Sequence, residues 1–144
     1  VKFTKLSYSD TDMEITNVPS EVLEGNGSGR ISFSSSDLFF EAKTNELTFN
    51  NFPKGGKPVY LELEYKSNEV LTLGIYHNNT SSTSIKAEYY NLLPTGNVWK
   101  KTYMDLTDIV SEQISASEYD IYLEVAKNKS SQPLVFIDNI KVIF

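Results

Sequence analysis

Strict alternation of apolar and polar residues is clearest over residues 59–65. This period of two predicts a strand with one buried and one outward face. The inward face would comprise Val59, Leu61, Leu63 and Tyr65. The outward face would comprise Tyr60, Glu62 and Glu64.

Clusters of turn-forming residues divide the rest of the chain into segments too short for helices but long enough for strands. Segments rich in β-branched and aromatic residues lie between these turns, at residues 70–76, 85–92, 99–106, 119–126 and 134–144. Only residues 105–114 offer a helical turn, with Thr107 as its N-cap. About eight to ten strands without a long crossover helix predict an all-β sandwich of two antiparallel sheets.

Composition agrees with one folded β domain. The chain has 144 residues, 40% of them hydrophobic, and a core of this size can bury roughly two-thirds of the unfolded surface. The net charge of −6, without a Lys/Arg cluster, argues against a nucleic-acid partner. The absence of cysteine excludes disulfides and zinc–thiolate sites, and no apolar run is long enough for a membrane span. Because the chain begins with Val1, we interpret residues 1–144 as a single domain excised or processed from a longer polypeptide.

Three stretches carry a family resemblance: EGNGSGRISF at residues 24–33, WKKTYMDLT at residues 99–107 and VFIDNIKV at residues 135–142. Together they resemble the galactose-binding-like jelly rolls of carbohydrate-binding modules and of surface lipoproteins from glycan-degrading bacteria. The resemblance implies a jelly-roll β-sandwich that works outside the cell or at its surface, beside neighbouring domains of the same polypeptide. It implies no particular ligand, because binding residues in such modules lie on variable faces and loops.

The resemblance also implies a structural calcium, which domains of this family often hold between the first and last strands. Asp138 matches the last-strand carboxylate, and Glu14 is the candidate from the other side, with Asp10 and Asp12 as alternatives. A second interpretation is that Asp138 and Asn139 bond nearby backbone groups at a β-bulge. The N-terminal acids match no tight ligand spacing, which favours the bulge.

Outward aromatic residues form a candidate glycan platform, because sugar rings stack C–H patches on flat rings while their hydroxyls need polar partners. The predicted rings are Trp99, Tyr60, Tyr103 and Tyr122. The predicted polar partners are Glu62, Lys101 and Glu124. Since each of these alternates with a predicted core residue, we expect them to point outwards and to share one face. The alternative is that the rings pack over the sheet, which is the favoured interpretation for Trp99.

Catalysis is the weaker interpretation. His77 is the only histidine, we expect it in an exposed turn, and no nucleophile elbow accompanies it. Glu62, Glu64 and Glu124 could form a carboxylate pair for glycoside hydrolysis, although alternating Glu also keeps an outer face soluble. The sequence therefore predicts a non-catalytic carbohydrate-binding domain of a secreted or surface-anchored bacterial protein. The alternative is a structural or adhesion spacer without glycan affinity.

Overall fold

The structure is a computed structural model that describes residues 3–44, 57–78, 84–112, 118–130 and 132–144. These residues form ten strands and one short helix, α1 (Thr107–Glu112). The strands are β1 (Phe3–Lys5), β2 (Met13–Thr16), β3 (Ser28–Ser32), β4 (Phe39–Thr44), β5 (Tyr60–Ser67), β6 (Leu71–Asn78), β7 (Ser84–Leu92), β8 (Lys100–Asp105), β9 (Glu118–Ala126) and β10 (Leu134–Ile143). Within these ranges no helix has the length and apolarity needed to cross a membrane.

The strands form two five-stranded sheets in which neighbours pair antiparallel. Sheet A has the order β1-β4-β9-β6-β7, and sheet B has the order β2-β3-β10-β5-β8. Several neighbours in each sheet are distant in sequence, so the chain crosses repeatedly between the two layers. This arrangement confirms the predicted jelly-roll β-sandwich.

The inward positions of the two sheets meet in one hydrophobic core. Sheet B contributes the four predicted residues, Val59, Leu61, Leu63 and Tyr65. Sheet A contributes Ile121, Leu123 and Val125, which all lie in β9. A one-residue slip would turn every side chain of a strand to the opposite face, so this burial fixes which residues of β5 and β9 point outwards.

Helix α1 lies inside the predicted helical segment, but its cap is not the predicted one. Asp105 Oδ1 accepts the backbone N–H of Thr107 at 2.9 Å. The Thr107 hydroxyl instead accepts the N–H of Val59 at 3.0 Å. Asp105 therefore supplies the side-chain acceptor at the start of the helix, and Thr107 fixes the entry to β5.

The single histidine is buried, so the expectation of an exposed turn histidine is wrong. His77 is an inward residue of β6, opposite Tyr119 of β9, and is 5% exposed. The sequence-based assignment ended the strand too early. The strand continues through His77 to Asn78 despite the turn-forming residues that follow.

A buried carboxylate joins two corners of the sandwich. Glu69 lies between β5 and β6 and is fully buried, and its Oε1 accepts the N–H of Val70 at 3.0 Å. Its Oε2 accepts the N–H groups of Asn128, Lys129 and Ser130 at 3.1, 2.7 and 2.9 Å. Burial raises the pKa of Glu69, but the backbone donors lower it by more, so this pKa lies below its usual value. The carboxylate thereby ties the β5–β6 turn to the β9–β10 loop.

Candidate functional site

The predicted ligand-binding residues lie on the two opposite outer surfaces of the sandwich. Sheet B carries Tyr60, Glu62, Trp99, Lys101 and Tyr103. Tyr122 and Glu124 lie in β9 of sheet A. The expectation that all of them share one face is therefore wrong, because alternation shows which residues point outwards but not which sheet their strand joins.

The outer face of sheet B presents two tyrosines beside an ion pair. Tyr103 is 59% exposed and lies directly opposite Glu62, while Tyr60 is half exposed at the next outward position of β5. Lys101 Nζ lies 2.8 Å from Glu62 Oε1 and 5.4 Å from the ring centre of Tyr103. The hydrogen bond from Lys101 lowers the pKa of Glu62. This face therefore offers open rings, but its central carboxylate is already bonded.

Trp99 packs on the surface of sheet B in a structural contact. Its ring centre lies 6.4 Å from that of Phe136. The buried Lys66 ammonium lies 5.4 Å from the ring centre of Trp99 and 4.8 Å from that of Phe136. Lys66 also donates to the carbonyl of Ser20 at 2.9 Å. These contacts hold the β2–β3 loop against the sheet and favour the packing interpretation of Trp99.

The outer face of sheet A carries a compact group of tyrosines and charged residues. Glu41 of β4 lies directly opposite Glu124 of β9, and the ring of Tyr76 from β6 lies 5.1 Å from that of Tyr122. Glu41 is 1% exposed and Tyr122 is 2% exposed, although both point away from the core. Together with Lys86 of β7, we call Glu41, Tyr76, Tyr122 and Glu124 the sheet A cluster.

Lys86 holds the two carboxylates of the cluster together. Its Nζ donates to Glu41 Oε2 at 2.9 Å and to Glu124 Oε2 at 2.8 Å. The same ammonium lies 4.6 Å from the ring centre of Tyr122 and 5.5 Å from that of Tyr76. Like charges directly opposite each other destabilise a sheet, so the lysine offsets the repulsion between the glutamates. The ammonium lies in a cage of two carboxylates and two rings.

The reach of Lys86 shows that sheet A curves towards its outer face. Strands β7 and β4 are separated by β6 and β9, which is three strand spacings, or about 14 Å, across a flat sheet. Side chains that stand upright on a flat sheet do not bridge this span, yet Lys86 and Glu41 are hydrogen bonded. Gly74, the β6 residue opposite Tyr122, has no side chain to obstruct the crossing. The outer face of sheet A is therefore concave.

The hydrogen-bond donors of the cluster stay protonated at neutral pH. Burial raises the pKa of Tyr76 far above its usual value, and its hydrogen bond to Glu41 raises it further. Burial lowers the pKa of Lys86, but its bonds to Glu124 and Glu41 raise it by more, so this pKa lies above its usual value. Tyr8 lies beside Tyr76 and Glu41 at the rim, and partial burial raises its pKa as well.

A second ion pair extends the concave face. Lys43 Nζ lies 3.3 Å from Asp120 Oδ2, and the Thr44 hydroxyl donates to Asp120 Oδ1 at 3.3 Å. Lys43 also lies 5.9 Å from the ring centre of Tyr76. The face therefore interleaves aromatic rings with charges of both signs.

Sequence reasoning missed three members of the sheet A cluster: Glu41, Tyr76 and Lys86. A local signal existed for Glu41, because Phe40 and Ala42 on either side of it are buried. Tyr76 likewise alternates with the apolar residues of β6. Lys86 has no local signal, because its partners lie on strands distant in sequence.

Asp138 lies at a bulge in β10, where the register with β5 shifts between Asp138 and Lys141. Its Oδ2 accepts the N–H of Glu24 at 3.2 Å and the hydroxyl of Ser28 at 2.8 Å. Its Oδ1 accepts the N–H of Asn139 at 2.8 Å, and Asn139 adopts a φ of 50°. These bonds match the bulge interpretation of Asp138.

The predicted calcium site of Asp138 and Glu14 is not formed. Glu14 lies in β2, which β3 separates from β10, so the two carboxylates do not share a site. Asp10 bonds to the backbone N–H groups of the β4 entry, and Asp12 pairs with Lys5. In the part of the chain that the structure describes, no group of three or more His, Cys, Asp or Glu side chains is placed to hold a metal ion.

Replacing Asp138 with alanine is expected to lower the free energy of unfolding by about 1 to 3 kcal/mol, because Ser28 and two backbone N–H groups lose their acceptor. Urea denaturation measures the loss, and Asp12→Ala, which removes an exposed carboxylate, is the control. Excess chelator should leave the wild-type melting temperature unchanged. A chelator-dependent melt would restore the calcium hypothesis, and an unchanged stability of Asp138→Ala would contradict both interpretations.

Comparisons with known proteins relate this architecture to solved structures. No family model and no curated protein sequence matches the chain. The enzymatically active domain of tailspike protein 4 from bacteriophage CBA120 superimposes with a TM-score of 0.70 at 15% identity, over 98% of this chain and 19% of that chain. The CBM22-2 xylan-binding domain of Paenibacillus barcinonensis Xyn10C superimposes with a TM-score of 0.63 at 14% identity, over 97% of this chain and 89% of that chain.

A carbohydrate-binding module of family 61, solved with β-1,4-galactotriose, gives a TM-score of 0.57 at 10% identity, over 99% of this chain and 86% of that chain. The chain thus spans about a fifth of the tailspike domain but most of both binding modules. At these identities the likeness concerns the fold alone. By its fold, the chain is a jelly-roll β-sandwich of the kind found in carbohydrate-binding modules.

Proposed function

We propose that this chain is a non-catalytic carbohydrate-binding domain whose glycan site is the concave outer face of sheet A. The observation that carries the proposal is the sheet A cluster, in which tyrosine rings alternate with charged hydrogen-bonding groups. Tyr8 and the Lys43–Asp120 pair extend the same chemistry along the face. A concave face can contact several sugar residues of a chain at once.

Each part of the face suits one part of a sugar. A pyranose ring presents C–H patches to an aromatic ring and hydroxyls to charged groups. Tyr8 and Tyr76 are more open to solvent than Tyr122, so these two rings would stack on the sugar. Glu124 would accept hydrogen bonds from hydroxyls, while the buried Glu41 and Tyr122 would hold the outer groups in position.

The charged groups favour binding over catalysis. Glycoside hydrolysis needs one carboxylic acid that donates a proton and a second carboxylate nearby. Glu41 and Glu124 share the ammonium of Lys86, an arrangement suited to ion pairing. Glu62 and Glu64 lie in β5 of sheet B, away from Glu124 in sheet A, so the carboxylate pair considered from the sequence is divided between the sheets.

The setting we propose is a secreted or surface-anchored bacterial protein in which neighbouring domains act on, or attach to, the glycan held here. In the tailspike domain and in a Clostridium thermocellum xylanase, the matched region is 19% and 26% of a longer chain. A binding domain of this kind would raise the local glycan concentration for its neighbours.

The alternative function is a structural or adhesion spacer, and the outer face of sheet B favours it. An open, mainly apolar hollow of about 450 Å³ is lined by Lys57, Pro58, Tyr60, Ile143 and Phe144, beside the exposed Tyr103. Exposed apolar patches often mark contacts with other proteins. In this alternative the hollow packs on a neighbouring domain and no glycan binds.

A glycan array followed by titration of three variants tests the proposal. Tyr8→Ala and Tyr76→Ala should each weaken binding by more than about 1 kcal/mol, roughly fivefold, as hot-spot truncations do. Tyr103→Ala, on sheet B, is the matched control and should leave affinity unchanged. Thermal melts confirm that each variant is folded at the titration temperature. Silence across a broad array would favour the spacer, and a loss confined to Tyr103→Ala would move the site to sheet B.

A further inference from the structure

The contacts of Lys86 show which chemical group the sheet A cluster is suited to bind. The ammonium of Lys86 is within hydrogen-bond distance of Glu41 and Glu124 and lies over the rings of Tyr76 and Tyr122. Paired carboxylates and aromatic faces are the groups that recognise ammonium ions, through charge-assisted hydrogen bonds and cation–π attraction. The cluster therefore has the chemistry of an ammonium site, and a lysine of the same chain fills it.

The charges of the cluster favour a cation over a neutral or an acidic group. Two carboxylates share the single ammonium of Lys86, and the nearby Lys43 is engaged by Asp120. A neutral hydroxyl that took the place of Lys86 would leave both carboxylates without a cation, and a uronate would add a like charge beside the buried Glu41. A ligand amine would instead satisfy the carboxylates.

Lys86 is the part of the cluster that can leave. Its side chain is 38% exposed, whereas Glu41 and Tyr122 are almost fully buried. It belongs to the edge strand β7, beside a shift in register between Ile75 and Tyr76 of β6. Its flexible four-carbon stem can swing into solvent, where the ammonium is well hydrated. The carboxylates and rings stay fixed because β4, β6 and β9 hold them.

We propose that the glycan bound on sheet A carries a free amine, as in de-N-acetylated amino sugars, and that this amine displaces Lys86 from between Glu41 and Glu124. The inference rests on the proposed glycan site and names its ligand class. Lys86 acts as a tethered competitor, so the apparent affinity for the amine is the intrinsic affinity multiplied by the fraction of molecules in which the cage is open.

Calorimetric titration at low salt, with the fully deacetylated hexamer of β-1,4-glucosamine and its fully N-acetylated counterpart, tests the inference. The wild type should bind the deacetylated hexamer at least tenfold more tightly. Lys86→Met keeps an apolar stem but removes the competitor, so it should raise the affinity for the deacetylated hexamer at least tenfold more and widen the preference over the N-acetylated hexamer. Glu124→Gln should reduce the preference at least fivefold. Lys101→Met, on sheet B, is the control and should change neither affinity.

The outcomes separate this inference from the proposed function. If acetylated or neutral oligosaccharides bind sheet A as tightly as the deacetylated hexamer, glycan binding stands and the amine inference falls. An affinity for the deacetylated hexamer that Lys86→Met leaves unchanged or lowers also overturns the inference. If Glu124→Gln keeps the full preference for the deacetylated hexamer, that preference reflects a general attraction of amines to an acidic protein. This result also overturns the amine inference. If no oligosaccharide binds, both proposals fail.

If Lys86→Met is too unstable to titrate, a rescue experiment tests the same inference. Methylammonium is the smallest probe that reproduces the lysine head group. In Lys86→Ala, methylammonium chloride should raise the melting temperature above its value in the same concentration of sodium chloride. The wild type, whose cage is filled, should respond less. Equal responses of the two proteins would show that the cage does not select the ammonium and would overturn the inference.

Discussion

Replacing Glu69 with alanine is expected to lower the free energy of unfolding by about 3 to 5 kcal/mol. The carboxylate is fully buried and accepts four backbone N–H groups, and the substitution leaves those donors without an acceptor. The loss also frees the β9–β10 loop from the β5–β6 turn. Urea denaturation at neutral pH, monitored by tryptophan fluorescence and circular dichroism, measures the change in the free energy of unfolding.

Two further variants separate the charge of Glu69 from its shape. Glu69→Gln keeps the size of the side chain but turns an amide NH₂ towards some of the same donors, so its loss should approach that of Glu69→Ala. Glu112→Ala, at the exposed end of α1, should change stability by no more than about 0.5 kcal/mol. A stability of Glu69→Ala within that small range would contradict the structural role given to this carboxylate.

The pH dependence of stability gives an independent check on Glu69. Because its pKa is lower in the folded chain than in the unfolded chain, its contribution is complete above the unfolded pKa, about 4.3. The contribution is lost as the pH falls through the lower folded pKa. The stability difference between wild type and Glu69→Gln should therefore be constant near neutrality and shrink in acid. A difference that grows on acidification would contradict the assigned shift.

Replacing Glu41 with alanine is expected to cost about 2 to 3 kcal/mol of stability. Removing one partner of a buried ion pair costs about 3 to 5 kcal/mol, but Lys86 is partly exposed and retains Glu124, which reduces the loss. The hydroxyl of Tyr76 also loses its acceptor. Chemical denaturation measures the change.

The matched control for Glu41 is Glu124→Ala on the same face. Glu124 is more exposed than Glu41, and its removal leaves Lys86 bonded to Glu41, so we expect a loss below about 1 kcal/mol. Equal losses for the two variants would show that burial of Glu41 contributes nothing to the cluster. A stabilised Glu41→Ala would contradict the pairing itself.

The fold could be predicted because its signals are local. Alternation over residues 59–65 identified the buried residues of β5, and the turn clusters marked the strand ends closely enough to give a sandwich. The polar pair Asp138 and Asn139 marked the bulge in β10. His77 was misplaced because the turn-forming residues after it outweighed the alternation that carries β6 to Asn78.

The candidate site could be predicted only in part, because it depends on which strands share a sheet. Tyr60 and Tyr122 both occupy outward positions, yet β5 and β9 lie in different sheets, and no local pattern encodes that assignment. Lys86 and Glu41 are 45 residues apart in sequence. Their pairing arises from the curvature of sheet A, which the sequence of neither strand shows.

Amide chemical-shift mapping shows whether glycan binds on the concave face of sheet A. The ¹⁵N-labelled wild-type protein is titrated with the glycan that gives the strongest array signal. We expect the largest shifts in β4, β6 and β9, around Glu41, Tyr76 and Glu124, and little change in β5 and β8. Shifts concentrated instead around Glu62 and Tyr103 would contradict it, because they would place the ligand on the opposite face of the sandwich.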